Sequence, residues 1–381
     1  MTDLEHILPL WRELEAAGAE YVLATIVAVE GSSYRRPGAR MLMAADGRRA
    51  GTVSGGCLEA AVAQRAWWLT ENGPVVRPYS TREDDGDLPY GSGCGGVVHI
   101  LLERRATAAP LLKALEAAFH ARVPLAIATV LEGAQMGERA FASVADRVSS
   151  FDFGSVDSLE FQLAELAEIA LEKRAGMEST LRAGAESVRV WVDYCAARPG
   201  LWIFGAGDDA RPLVKQARTL GWFIAVADGR SHLATQGRFA EADAVRLLPI
   251  SDLPDAAREH FDLRRSDAAV VMTHSFEQDA RILAALLAAP VAPAYIGVLG
   301  PQRRTRELLA EAARMLDLVP SEHLIESWLE QLHAPVGLDL GADAPAAIAL
   351  SILAEVQKTI TAATALPLKH VRGVRVAAVQ H

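Results

Sequence analysis

The chain has 381 residues, 51% of them apolar and 23% charged, with a formal net charge of −10. Such a length exceeds one ordinary core and points to two or three domains, and the acidity argues against general affinity for nucleic acid or an anionic membrane surface. Three cysteines make no disulfide framework and point to a reducing compartment, where a thiol is free to act as ligand or nucleophile.

The first 20 residues pattern as a short amphipathic helix, and the acids among them fit neither a signal peptide nor a transit peptide. No run of 18 apolar residues occurs, so no membrane span is expected and the cytoplasm is the expected location. "YVLATIVAV" (21–29) is a continuous β-rich run, the pattern of a buried strand. "ARMLMAADGRRAGTV" (39–53) reads as a hairpin turning at Asp46-Gly47. "CLEAAVAQRAWWLTENG" (57–73) follows as a helix that Gly73 ends. Residues 74–90 read as a loop or lid, and "GSGCGGVVHILLE" (91–103) as a second glycine-rich turn running into a strand.

A helix at about 107–122 and a strand at 123–131 come next. Residues 132–198 read as a connecting part, with one helix near 157–173, one strand near 186–195 and a boundary at "AARPG" (196–200). From 201 short strands near 201–205, 222–227, 243–248, 268–272 and 294–298 alternate with helices. The expected fold is α/β: an N-terminal α+β domain over 1–198, then a Rossmann-like domain over 199–381 with a doubly wound parallel sheet.

The second half carries a dinucleotide fingerprint. Gly205, Gly207 and Ala210 fill the G-x-G-x-x-G/A positions after a strand, and Asp228 ends the next strand, placed to accept from a ribose hydroxyl. Asp208 and Asp209 suit the helix dipole but would repel a phosphate, so the loop fits a helix that is merely capped as well as an NAD(P) site. Arg230, Thr273-His274 and 297–303 lie at other strand ends; His274 reads equally as a loop histidine and as a ligand contact.

In the first half, Cys57 follows Gly55-Gly56 at a helix start, and Cys94 precedes Gly95 in the second glycine turn. Glycines let a flat or bulky ligand approach, and the helix dipole favours a thiolate. Cys195 reads as a small buried hydrophobe. The two glycine-turn cysteines stand 37 positions apart, without Cys or His partners at ligand spacing, which excludes a typical zinc site. Between Gly31 and Leu58, Arg35, Arg36, Arg40, Arg48 and Arg49 face one acid, Asp46, a local +4 (five less one) that suits an anionic ligand or a solvated hairpin face.

"GSSYRRPGARMLM", "GTVSGGCLEAAV" and "GSGCGGVV", with "IFGAGDDA", "VMTHSFEQD" and "APVGLDLGADAPAAIALSILAEV" in that order, resemble the XdhC/CoxI family of accessory factors. The resemblance implies a chaperone that binds the molybdenum cofactor (molybdopterin) and protects it while a partner cysteine desulfurase installs its sulfido ligand. It implies delivery to a client of the xanthine or carbon monoxide dehydrogenase type, with Cys57 as the cofactor-associated thiol. A soft thiolate in a glycine cradle suits molybdenum, and Arg35, Arg36 and Arg40 suit the pterin's phosphate. A homo-oligomer is expected. Two positions depart from the family pattern: Asp208, often histidine, and Tyr34, often proline, where only the shape of a turn is expected to change. The alternatives are an NAD(P)-dependent oxidoreductase, which lacks an evident hydride-transfer partner, and a sulfur carrier holding a persulfide on Cys57. Three cysteines could not hold the Cys₄ clusters of a xanthine dehydrogenase itself.

Overall fold

The computed structural model describes residues 3–80, 96–144, 158–183, 186–255 and 261–375. The chain divides into two compact units, Met1–Arg198 and Pro199–His381. Among the described residues no helix is long and apolar enough to cross a membrane.

The first unit is built on an antiparallel sheet of β1 (Tyr21–Glu30), β2 (Arg40–Ala44), β3 (Arg49–Gly51), β4 (Val75–Ser80) and β5 (Val97–Arg104), ordered β3-β2-β1-β5-β4. The continuous apolar run of β1 follows from burial on both faces. Tyr21 and Leu23 pack with α1 (Leu4–Ala16) and α3 (Arg105–Ala121), whereas Val22, Ala24 and Ile26 pack with α2 (Glu59–Leu69). The β2–β3 hairpin turns at Asp46-Gly47, where Gly47 takes φ +90°. Residues 75–80, expected within a loop or lid, instead pair along β5 from Val75↔Leu102 to Ser80↔Val97.

Residues 132–198, expected to connect, instead help build a second antiparallel sheet. Its strands are β6 (Leu125–Val130), β7 (Arg139–Ser143), β8 (Met177–Ala183) and β9 (Glu186–Cys195), ordered β7-β6-β9-β8. The helix α4 (Leu159–Lys173) covers one face, while Leu125, Ile127 and Cys195 join the core of α1 and α3. Two buried ion pairs pin the sheets together: Arg40 of β2 to Asp193 of β9 and Arg139 of β7 to Glu103 of β5, each at 2.6 Å. Burial pushes the Glu103 carboxyl up, against the pull of Arg139.

The second unit is a parallel sheet of β10 (Gly200–Phe204), β11 (Phe223–Asp228), β12 (Ala244–Leu247), β13 (Ala268–Val271) and β14 (Tyr295–Val298), ordered β12-β11-β10-β13-β14. Helices α5 (Ala210–Thr219) and Pro345–Ile360 cover one face. Phe276–Leu287 and Gln302–Met315 cover the other. The chain therefore switches direction between β10 and β13, which opens a crevice at their carboxyl ends.

Candidate functional site

The glycine turn before α2 is held by one carboxylate. Glu59 Oε1 accepts from the backbone N–H of Ser54 (2.8 Å) and Val53 (3.2 Å) and from the Thr52 hydroxyl, while Oε2 accepts from the Ser54 hydroxyl. Ser54 Oγ in turn accepts from the backbone N–H of Gly56 (3.1 Å) and Leu58 (3.0 Å), which caps a helix whose own N-cap residue, Leu58, has no capping side chain. Burial would raise the Glu59 carboxyl, but the donors from Ser54 and Thr52 outweigh it and hold the group below its usual value. Gly56 takes φ +114°, a conformation that favours glycine.

Beside this turn lies a cleft of about 610 Å³, lined among others by Tyr34, Met41, Arg49, Ser54, Gly55 and Gly56. Cys57 is exposed and does not line it; its Sγ lies 3.5 Å from the hydroxyl of Ser54, which does. Gly96, which follows the second glycine turn, approaches the first loop so closely that a Cβ would lie 2.2 Å from Ser32 O. Cys94 and Gly95 lie outside the described residues. Among the described residues no group of three His, Cys, Asp or Glu could hold a metal.

The arginine cluster resolves into different roles. Arg40, expected at a phosphate, is 5% exposed and is spent on Asp193 and, at 2.9 Å, on Gly38 O. Arg35 is paired with Asp3, and Arg48 with Asp46 and Glu13. Arg36 and Arg49 are exposed and form no ion pair among the described residues, and Arg49 lines the cleft. Cys195 is buried against Asp193 and Arg40, and burial pushes its thiol up to about 12. It is an inert core residue.

At the carboxyl ends of the strands of the second unit, the acids are paired with local groups. Gly205 (φ +132°) permits the close approach of β10 and β13, since a Cβ would lie 2.4 Å from Met272 O. Asp228, expected to meet a ribose, is instead fully buried. Its Oδ2 accepts from Ala206 N (2.7 Å) and Arg230 Nη2 (2.7 Å), and its Oδ1 from Arg230 N (2.8 Å) and Nε (2.9 Å). Burial would raise its carboxyl; these donors hold it below its usual value instead. Asp208 pairs with Arg238 at 2.9 Å, and Asp209 with His274 Nε2 at 2.8 Å. Asp208 therefore has a local counter-charge in Arg238, and Asp209 a hydrogen-bonding partner in His274, which the bare sequence did not show. His274 is exposed and takes φ +65°, beside the Gly207 turn.

Sequence reasoning missed Glu59, Thr52 and Ser54 as the frame of the turn. The available signal was a Thr and a Ser just before a helix with Glu in its first turn, a capping pattern. It counted Arg49 only within a net charge.

Residues 201–356 match the family model described as the XdhC Rossmann domain, and 14–80 match that of the XdhC and CoxI family. A Bacillus subtilis protein, named as a probable subunit of xanthine dehydrogenase, is 32% identical over 342 residues, 89% of this chain and 93% of that protein. A molybdenum cofactor insertion chaperone of Escherichia coli, PaoD, is 34% identical over 122 residues, 30% of this chain and 35% of that one. The crystal structure of a Bacillus halodurans protein described as a xanthine dehydrogenase superposes with a TM-score of 0.68 at 28% identity, covering 97% of this chain and 99% of that one.

Proposed function

This chain belongs to the XdhC and CoxI family, and from that premise we propose that it is an accessory protein that binds the molybdenum cofactor in the cleft of its first unit. The observation that carries the reading is the cleft itself, which falls largely within the segment matching the family and is framed by Ser54, Gly55, Gly56 and Glu59. The residues fit such a ligand. Two adjacent glycines leave room for a bulky group, and a Cβ on Gly56 would stand in open space. The exposed thiol of Cys57, next in sequence to the lining Gly56, suits a soft metal, and Arg49, free of ion pairs among the described residues, suits a phosphate.

In this reading the bound cofactor supplies the molybdenum centre that a client enzyme needs. The chain's own residues bind and orient. Glu59 and Ser54 fix the turn, so Cys57 presents its thiol from a set position, and Arg49 offers a planar cation within the cleft. We further propose that the client is a molybdenum hydroxylase of the xanthine dehydrogenase type, that a cysteine desulfurase completes the cofactor while it is held, and that this chain catalyses no turnover. The relatives' names, of which one is that of a dehydrogenase subunit and the other that of a cofactor insertion chaperone, support the first and third points. An NAD(P) oxidoreductase is disfavoured because the acid that would hold a ribose is spent on Ala206 and Arg230.

The test expresses a client hydroxylase with and without this chain and measures hydroxylase activity and molybdenum content. Client protein that folds but lacks active cofactor unless this chain is present supports the reading. Full client activity without it, in a host lacking a homologue, overturns it.

A further inference from the structure

Tyr34 is 73% exposed, yet it sits on the wall of the cleft. One side of its ring rests on the glycine turn: Cγ, Cδ1 and Cε1 lie 3.8 to 4.0 Å from the position a Cβ on Gly55 would take. The backbone around it is anchored. Arg35 is paired with Asp3, Gly38 N donates to Ile26 O at 2.9 Å, and Ser32 O is pressed by Gly96. The loop thus presents the phenol ring in a set place with its other side open, although an aromatic of that size normally buries much of its surface.

We propose that Tyr34 is a stacking platform for the planar nitrogen heterocycle of the ligand, its pterin end; this rests on the cofactor reading above. The chemistry agrees at three points. An electron-rich phenol ring stacks on an electron-poor heterocycle, and the contact removes apolar surface of both from water. The glycine turn backs the ring and keeps it from folding away. Arg49, in the same cleft, offers a cation to the ligand's anionic end. The hydrogen-bonding edge of Glu59 is already used within the turn, which leaves the ring face and the Arg49 guanidinium as the cleft-lining groups to meet a ligand.

The test uses 6-carboxypterin, whose own fluorescence is quenched when its ring stacks on a phenol. Wild-type protein is expected to give saturable quenching, and Tyr34→Phe to keep the affinity within about two-fold, because the ring is retained. Tyr34→Ala and Tyr34→Pro are expected to weaken binding by about ten-fold or more, the scale of one stacking contact. Because the side chain is exposed, melting temperatures should not change, which separates loss of contact from loss of fold. Equal affinity of Tyr34→Ala and wild type overturns the platform, as does an absence of saturable quenching in wild type. Molybdenum cofactor retained by the purified protein is measured alongside. If wild type retains it and Tyr34→Ala retains as much, the platform falls while the cofactor reading stands; if wild type retains none, the cofactor reading falls with it.

Discussion

Glu59 holds Ser54 at two points, taking its backbone N–H at 2.8 Å on one carboxylate oxygen and its hydroxyl on the other. A single first-turn acid thereby sets the shape of the turn that leads to Cys57. Removing the acceptor strands Thr52 and Ser54 donors in a partly buried place, at a cost of about 1–3 kcal/mol. Glu59→Ala should melt lower than wild type and lose cofactor, with Glu59→Gln intermediate. The carboxyl is held below its usual value in the folded state. Its contribution is therefore full above about pH 4.3, the unfolded value, and is lost as pH falls through the folded one. Melting curves from pH 7 to pH 3 should show a smaller acid-side loss in Glu59→Gln; parallel curves for the two proteins would count against this role.

The two described cysteines should separate cleanly by reactivity. Cys57 is exposed, whereas the Cys195 thiol is buried and pushed up to about 12. Brief treatment of native protein with iodoacetamide, followed by peptide mass spectrometry, should label Cys57 and leave Cys195 unmodified until denaturant is added. Comparable labelling of both in the native state would contradict the placement of Cys195.

Arg40 and Arg49 should fail in opposite ways. Arg40→Met removes one partner of a buried pair and leaves Asp193 charged in the interior, a loss of about 3–5 kcal/mol in stability. Arg49→Ala should leave the melting temperature nearly unchanged but lower cofactor retention, more strongly at low salt than at high. Thermal melts and molybdenum content on both variants check this. Undiminished cofactor in Arg49→Ala would leave the cleft without a phosphate contact.

The crevice of the second unit should bind NAD(H) and NADP(H) weakly or not at all, since Asp228 is closed off by Ala206 N and Arg230. Calorimetry giving micromolar affinity would revive the oxidoreductase reading. Asp228→Ala should not open a site; it should lower stability, because Ala206 N and Arg230 lose their acceptor.

Much of the fold was legible because its signals are local. The Asp46-Gly47 turn, the unbroken run of β1 and the strand–glycine–helix texture from 201 each declare themselves within a few residues. The second sheet of the first unit did not. Its β7 and β8 are outer strands of that sheet, mixing charged and apolar residues, and periodicity does not distinguish such strands from connecting chain. Of the candidate site, the glycine turn and Cys57 were legible by pattern, whereas Arg49, which lines the cleft, was visible only as a member of a charged cluster. Which arginine is buried depends on Asp193, 153 positions beyond Arg40, and no local pattern carries that information.

The pairs Arg40–Asp193 and Glu103–Arg139 also bear on where the chain can be cut. The segment 14–80 that matches the family looks like a portable module, since it holds β1 to β4 and the glycine turn. It is not one. A fragment ending before β7 would keep Arg40 but lose Asp193, and one reaching through β5 would also keep Glu103 without Arg139. Each would strand ionic groups in the contact face of the first sheet, and they would draw in water or a neighbouring chain. Grafting this cleft onto another scaffold therefore means carrying β6 to β9 with it.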